Sequence, residues 1–250
     1  MIEGHRTIIK LQRRGHERLE TVLRFEERRE RAGIRAPRLL DHGTVETGAG
    51  EIWWAVLERV TGAPSEAPGP AQQRILGAQL RRWHESGPAG GLRVDDPGGL
   101  GVLLGSARFV VPRVYPRIAA LFDAACRGRS VTAIHGDVAL GHNMLFEGDE
   151  LIAIIDPGAV EIGPPMLDLA WALAVDLPRG GSAGPLFEGY GRDAVDQDAL
   201  DALLPLMVLR RYIDTFISGA RHDTKWLTGW LEDHAPHLLE LVTTELDFRS

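Results

Sequence analysis

Residues 134–171 read IHGDVALGHNMLFEGDELIAIIDPGAVEIGPPMLDLAW, and they hold the side chains best suited to chemistry. His135 and Asp137 fall in one tight loop, with Asn143 a few residues on. Two short apolar runs follow, 144–146 and 151–155, and a second aspartate, Asp156, stands where the second run ends. A base, an amide and a carboxylate in that order are what phosphoryl transfer from Mg·ATP requires. The first Asp accepts or orients the proton of the acceptor hydroxyl, while the Asn and the second Asp hold the metal. The segment therefore predicts a kinase-type phosphotransferase.

The pieces His135-Gly136-Asp137, Asn143, Ile155-Asp156 and Gly163-Pro164-Pro165-Met166-Leu167-Asp168-Leu169-Ala170 follow one another in that order. They resemble the catalytic core of the aminoglycoside phosphotransferase family, small-molecule kinases built on the protein-kinase fold. That family's pattern is H-G-D, an Asn, a strand ending in I-D, then G-x-P-x-x-D-L-A. A lone H-G-D carries little information, but four pieces in order within about forty residues are specific. The resemblance implies that Asp137 is the catalytic base, that Asn143 and Asp156 are metal ligands, and that Asp168 is a buried support for the catalytic loop. His135 then reads as a packed, loop-anchoring residue rather than an acid or base. The family usually places four residues between the Asp and the Asn, whereas Val138 to His142 intervene here. Either the loop bulges by a residue or His142 takes the place of the Asn. Magnesium is a hard cation that prefers oxygen, which favours Asn143 as the ligand and leaves His142 to face the substrate.

Composition bounds the rest. A chain of 250 residues can bury a full core and suits one two-lobed unit. The net charge of −7 argues against a nucleic-acid partner, which would need a basic face. It suits a cationic small-molecule acceptor, although ordinary solubility explains it as well. Cys126 is the single cysteine, so no intrachain disulfide forms and a reducing compartment is expected. No apolar run reaches membrane length, and the N-terminus lacks the apolar core of a signal peptide. The expectation is a soluble cytoplasmic protein with no membrane partner.

Along the chain, residues 7–11 read as a strand and 15–32 as an amphipathic helix stopped by Gly33. Residues 39–45 and 51–60 form a hairpin across the Thr47–Gly50 turn. Three prolines and two glycines in 61–70 mark the clearest boundary. Beyond it the pattern turns helical over 71–85, 108–127 (broken near Pro112 and Pro116), 201–218 and 223–247 (interrupted at Pro236), with 87–101 a loop. Periodicity alone gives an α+β class. The resemblance implies a bilobal protein-kinase-like fold, with a short β-rich N-lobe over 1–60 and a helical C-lobe over 61–250.

On the nucleotide side, a kinase of this type pairs a strand Lys with a helix Glu over the ATP phosphates. Lys10 is the strand lysine; Glu20 lies where the family's glutamate falls, and Glu26, nearer the apolar stripe, is the alternative. The resemblance implies that the backbone of Glu58 and Val60 reads the adenine edge, with ATP or GTP as donor and Mg²⁺ as cofactor. Nine residues precede Lys10, with one glycine, Gly4, whereas the family's glycine-bearing hairpin needs about a dozen or more. Either that hairpin lies upstream of this start or the protein lacks the phosphate lid. There is no Walker-type phosphate loop, and His222, His234 and His237 show no metal-ligand cadence.

The expected acceptor is an aminoglycoside or another aminated natural product, which implies antibiotic resistance or self-protection. Glu161, Asp214, Glu232 and Asp233 are the carboxylates that could meet its ammonium groups. Three alternatives stand beside this reading: a kinase for a sugar or amino alcohol, a pseudokinase-like protein that binds a nucleotide or small ligand without turnover, and a metal-dependent hydrolase using the same carboxylates.

Overall fold

The computed structural model describes residues 7–13, 19–48, 50–86, 104–156, 161–218 and 223–246. Three antiparallel strands open the chain: β1 (Thr7–Arg13), β2 (Leu39–Thr47) and β3 (Gly50–Glu58), in the order β1-β3-β2. Helix α1 (Leu19–Ala32) intervenes and ends at Gly33, whose φ of +63° is the left-handed conformation that glycine adopts without strain. The sheet buries little of its own, Trp53 and Ala55 with Leu39 packed against them, and Ile9 and Leu11 stay exposed.

The helical part follows: α2 (Pro70–Glu85), α3 (Gly105–Val110), α4 (Tyr115–Cys126), α5 (Met166–Asp176), α6 (Ala183–Tyr190), α7 (Gln197–Ser218), α8 (Thr224–His234) and α9 (Pro236–Leu246). All eleven residues of α5 are buried, which is the expected position of a helix that is apolar all round. It lies in the main core with residues such as Leu140, Met144, Leu203 and Met207. Phe25 and Ile34 from the N-terminal part join the same core, and Phe25 packs on Trp83 with ring centroids 5.2 Å apart. Arg28 lies over the same indole and reaches Thr132 at 3.2 Å.

Two expected helix bounds need correction. The helix expected over 108–127 breaks at 111–114 only. Pro116 sits in the first turn of α4, where its missing N–H costs nothing. Pro205 lies inside α7, which begins at Gln197 rather than 201. The loop expected over 87–101 lies outside the described residues.

Two small ladders position the site. Strand β4 (Thr132–Ile134) pairs antiparallel with β7 (Glu161–Gly163), and β5 (Met144–Glu147) pairs with β6 (Glu150–Ile154). The first ladder matches Ile134 to Glu161 and Thr132 to Gly163, so the loop after β4 leaves beside the start of β7. The two parts of the chain are stitched by a bridge between Ala63 and Phe146 and by the Ile154 N–H donating to the Arg35 carbonyl at 2.8 Å. Helices α2 and α6 approach so closely that a Cβ on Gly77 would stand 2.1 Å from the Leu186 carbonyl oxygen. One on Gly189 would stand 2.0 Å from that of Arg74.

Candidate active site

The loop between β4 and β5 carries His135, Asp137, His142 and Asn143, and two carboxylates of α5 hold it by its backbone. Asp168 is fully buried and accepts from the His135 N–H at 2.8 Å and the Gly136 N–H at 2.7 Å. Asp176, about two turns along the same helix, accepts from Leu140 and Gly141, both at 3.2 Å. Burial pushes Asp168 up, but the His84 hydrogen bond and the charges around it outweigh that and hold it below the usual carboxylate range. For Asp176 burial wins over its two backbone donors, and its carboxyl is pushed up to about 6.

His84, on the buried face of α2, supplies the difference. Its Nε2 lies 3.0 Å from Asp168 and its Nδ1 lies 3.0 Å from the Tyr190 hydroxyl. Burial raises the Tyr190 phenol, which stays protonated against Nδ1, and Nε2–H donates to the Asp168 carboxylate. His135 is also buried, edge-on to Phe25, and burial lowers its pKa so that it is neutral. Neither of its ring nitrogens has a hydrogen-bond partner among the described residues.

Asp137 sits in the middle of the loop. Its Oδ2 accepts from the Asn143 amide nitrogen at 3.0 Å and lies 3.3 Å from His142 Nε2. The Arg210 guanidinium stands 3.8 Å from its Oδ1. Burial raises this carboxyl, but His142 and Arg210 together bring it below the usual range, so it is ionised at neutral pH. The same hydrogen bond raises the His142 imidazole against the effect of burial. Arg210 also donates to the Gly136 carbonyl at 2.9 Å and lies 3.9 Å over the Trp171 ring, so α7 holds the loop from the other side.

Asn143 is buried, and its nitrogen also donates to the Asp137 carbonyl at 2.9 Å, which turns its side-chain oxygen away from the carboxylate. Its own carbonyl accepts from the Ile155 N–H at 2.9 Å, and this bond sets Asp156 beside it. Asp156 has a φ of +59°, a left-handed conformation that Asp tolerates better than most residues. An amide oxygen and a carboxylate on backbone segments joined by this bond suit a hard cation that takes its remaining ligands from phosphate and water. Among the described residues no cluster of three or more His, Cys, Asp or Glu is arranged to hold a metal, so no all-protein cage competes with this site.

Lys10 reaches this point from β1. Its Nζ lies 2.6 Å from Asp156 Oδ1, with both side chains partly exposed. Glu26 does not serve as its partner, because Arg29 engages it at 2.8 Å on the same helix face. Glu20 is placed on α1 by its backbone; its side chain lies outside the described residues, as does that of Glu161 on β7. The Glu58 N–H donates to the Arg38 carbonyl at 2.9 Å and is therefore already used within the sheet. From there the chain leaves β3 through Arg59 and Val60. Glu232 and Asp233 are exposed on α8 and line no cavity with Asp137.

A cavity of about 310 Å³ opens beside Asp137, lined among others by His142, Trp171, Arg179, Arg210, Arg211 and Asp214. Asp214 is buried enough to raise its pKa, and its Oδ1 has no hydrogen-bond partner in the described structure. The structure thus sets His142, Asn143 and Asp214 around Asp137, and Lys10 against Asp156. His84, Asp176, Tyr190 and Arg210 join them unannounced by any motif.

A mixed α+β chain with a small sheet over a helical body, and this loop between them, defines a kinase-like fold. The Phosphotransferase enzyme family model matches residues 2–203, and the chain belongs to that family. Among solved structures, a microcompartment-associated aminopropanol kinase is 17% identical with a TM-score of 0.63, over 96% of this chain and 87% of that one. A type VIII aminoglycoside-3'-phosphotransferase is 21% identical with a TM-score of 0.59, over 80% and 84%. An aminoglycoside phosphotransferase from Streptomyces rimosus, solved with ADP and streptomycin, is 21% identical with a TM-score of 0.58, over 80% and 85%. No curated protein matches the sequence. No helix among the described residues is long and apolar enough to cross a membrane.

Proposed function

We propose that the protein transfers the γ-phosphoryl group of ATP to a hydroxyl of a small molecule in a magnesium-dependent reaction. The observation that carries this is Asp137: an ionised carboxylate, fixed by Asn143 and flanked by Arg210, at the edge of a cavity able to hold an acceptor. The acceptor oxygen forms a bond to the γ-phosphorus as the bond from that phosphorus to the β–γ bridging oxygen breaks. The hydroxyl proton passes to Asp137, and ADP leaves. A magnesium ion held by Asn143 and Asp156 would neutralise charge on the phosphates. Lys10, with Glu20 behind it, is assigned to the phosphates, and the backbone of Glu58 and Val60 to the base of ATP or GTP. In this reading residues 1–60 cover the nucleotide, and 61–250 carry the catalytic loop and the acceptor.

An aminated acceptor, an aminoglycoside or an amino alcohol, is the class favoured by kinship, and it would place the protein in cytoplasmic antibiotic resistance or self-protection. The test is Mg-dependent ADP release across aminoglycosides, amino alcohols, sugars and hydroxy acids. Asp137→Asn is expected to lower kcat by about 10²–10⁴-fold while Mg·ATP still binds. Turnover at the wild-type rate in that variant would remove Asp137 from the role of base.

A further inference from the structure

The cavity beside Asp137 is rich in cations. Arg179, Arg210 and Arg211 line it together with His142, and only two carboxylates, Asp137 and Asp214, line it with them. Asp137 is committed to the reacting hydroxyl. Asp214 lies 3.8 Å from Arg210, and burial moves it toward its neutral form. Asp223 stands against the other two arginines, and a single oxygen, Oδ2, takes both of them: Arg179 at 3.2 Å and Arg211 at 2.7 Å. That arrangement shares one carboxylate between two guanidiniums. The buried Nε of Arg211 has no hydrogen-bond partner among the described residues, so the fork of this side chain is only partly used.

Arg179 belongs to the short turn after α5 and packs onto the catalytic loop, its Nε 3.2 Å from where a Cβ on Gly141 would stand. A cationic corner therefore lies directly against the loop that carries the base. A polyamine needs the opposite: an excess of ionised carboxylates facing the cleft. Glu232 and Asp233, which might have supplied it, are exposed on α8 and do not line the cavity. A guanidinium fork, by contrast, matches a planar carboxylate in both shape and charge.

We propose that the acceptor is a small hydroxy acid, whose carboxylate is held by Arg211 and Arg179 while its hydroxyl faces Asp137. This rests on the phosphotransferase reading and replaces the aminated acceptor that kinship favours. The carboxylate would take the Arg211 N–H groups that face the cavity and that Asp223 does not use. An ammonium group on the same molecule could still meet Asp214, so hydroxy amino acids fall within the class and polyaminated sugars outside it.

The experiment measures ADP release by the full chain with Mg·ATP on matched pairs, each short hydroxy acid or hydroxy amino acid against its own amide, with aminoglycosides alongside. At least one acid is expected to exceed its amide by about tenfold or more in kcat/KM. Arg211→Gln should bring that ratio near one by raising KM for the acid, without a matching change in KM for ATP. Arg179→Gln serves as the second variant should the first not fold. Release that depends on Asp137 but favours amides or aminoglycosides overturns the hydroxy-acid acceptor and leaves the phosphotransferase standing. Mg·ATP binding with no release on any acid also overturns it. Absence of both Mg·ATP binding and release overturns the two readings together.

Discussion

The two ends of the catalytic loop are held by the same device and titrate in opposite directions. Asp168 grips His135 and Gly136, and Asp176 grips Leu140 and Gly141; each is a buried carboxylate of α5 accepting two backbone N–H groups. Asp168 nevertheless stays below the ordinary carboxylate range, whereas Asp176 rises to about 6. Backbone donors are common to both, so they do not decide the outcome. A third partner does. His84 donates to Asp168 and is itself fixed by Tyr190, while Asp176 has only the more distant charges of Arg179 and His142. A third, well-oriented donor is what keeps a buried carboxylate of this helix below the usual carboxylate range.

The largest effect is expected at the Asp168 end. Asp168→Ala leaves His84 and two backbone N–H groups buried without their acceptor and should cost about 3–5 kcal/mol, read from urea denaturation. A loss within experimental error would mean that the loop is not held there.

Replacing the third partner sharpens the contrast. His84→Leu should make Asp168 behave like Asp176, with its folded-state pKa raised above the unfolded value. In the wild-type chain Asp168 contributes stability that is present above the unfolded pKa and lost as pH falls through the folded one. In the variant the sign reverses, and stability falls as pH rises through the new pKa. The loss at neutral pH should be about 2 kcal/mol, shrinking toward pH 4.

At the other end the same linkage predicts a gain. Because the Asp176 pKa is raised to about 6, the wild-type chain loses stability from this group as pH climbs from the unfolded value near 4 through 6. The loss is of the order of 3 kcal/mol at most. Asp176→Asn removes that slope and keeps one acceptor for the loop, so it should stabilise the protein above pH 6 by about 1–2 kcal/mol. A pH–stability profile parallel to that of the wild type would show that Asp176 is not the group responsible.

The smallest stability effect belongs to the N-terminal sheet. Lys10→Met breaks a partly exposed ion pair with Asp156 and should shift stability by less than about 1 kcal/mol. Its effect should appear instead as weaker ATP binding, measured by titration with Mg·ATP.

The comparison also separates what a reader of the sequence can see from what the fold adds. Asp137, Asn143, Asp156 and Asp168 lie within one stretch whose spacing is set by a loop, a hairpin and the start of a helix, so the order alone was informative. His84, Asp176 and Arg210 come from three different helices and meet the loop only after packing, so no motif holds them together. Physical signals were present all the same. His84 falls one turn after Leu80 on the buried face of α2, and Asp176 closes a helix with no exposed residue. Arg210 follows Leu206 by one turn on the buried side of α7. A charged or titratable residue on an apolar stripe is a residue with a partner to find.

Strands, hairpin and the longer helices were legible from periodicity, and so was the interruption at Pro236, whereas the break expected at Pro116 was not there. Pro116 stands in the first turn of α4, where a missing N–H costs nothing. The contact of Lys10 with Asp156 was not legible either. The glutamate alternative Glu26 is taken by a neighbour on its own helix, and the lysine turns to an aspartate far along the chain.

The glycine contact between α2 and α6 has a consequence for how this protein would tolerate change. In a saturation mutagenesis screen scored by activity, Gly77 and Gly189 should stand out as intolerant as the cleft itself, though neither touches it. Any side chain there forces apart the two helices that carry His84 and Tyr190, and the catalytic loop loses its third donor at a distance. A map of sensitive positions would thus trace a path from the far side of the molecule to the base, and only a stability measurement would tell its two ends apart.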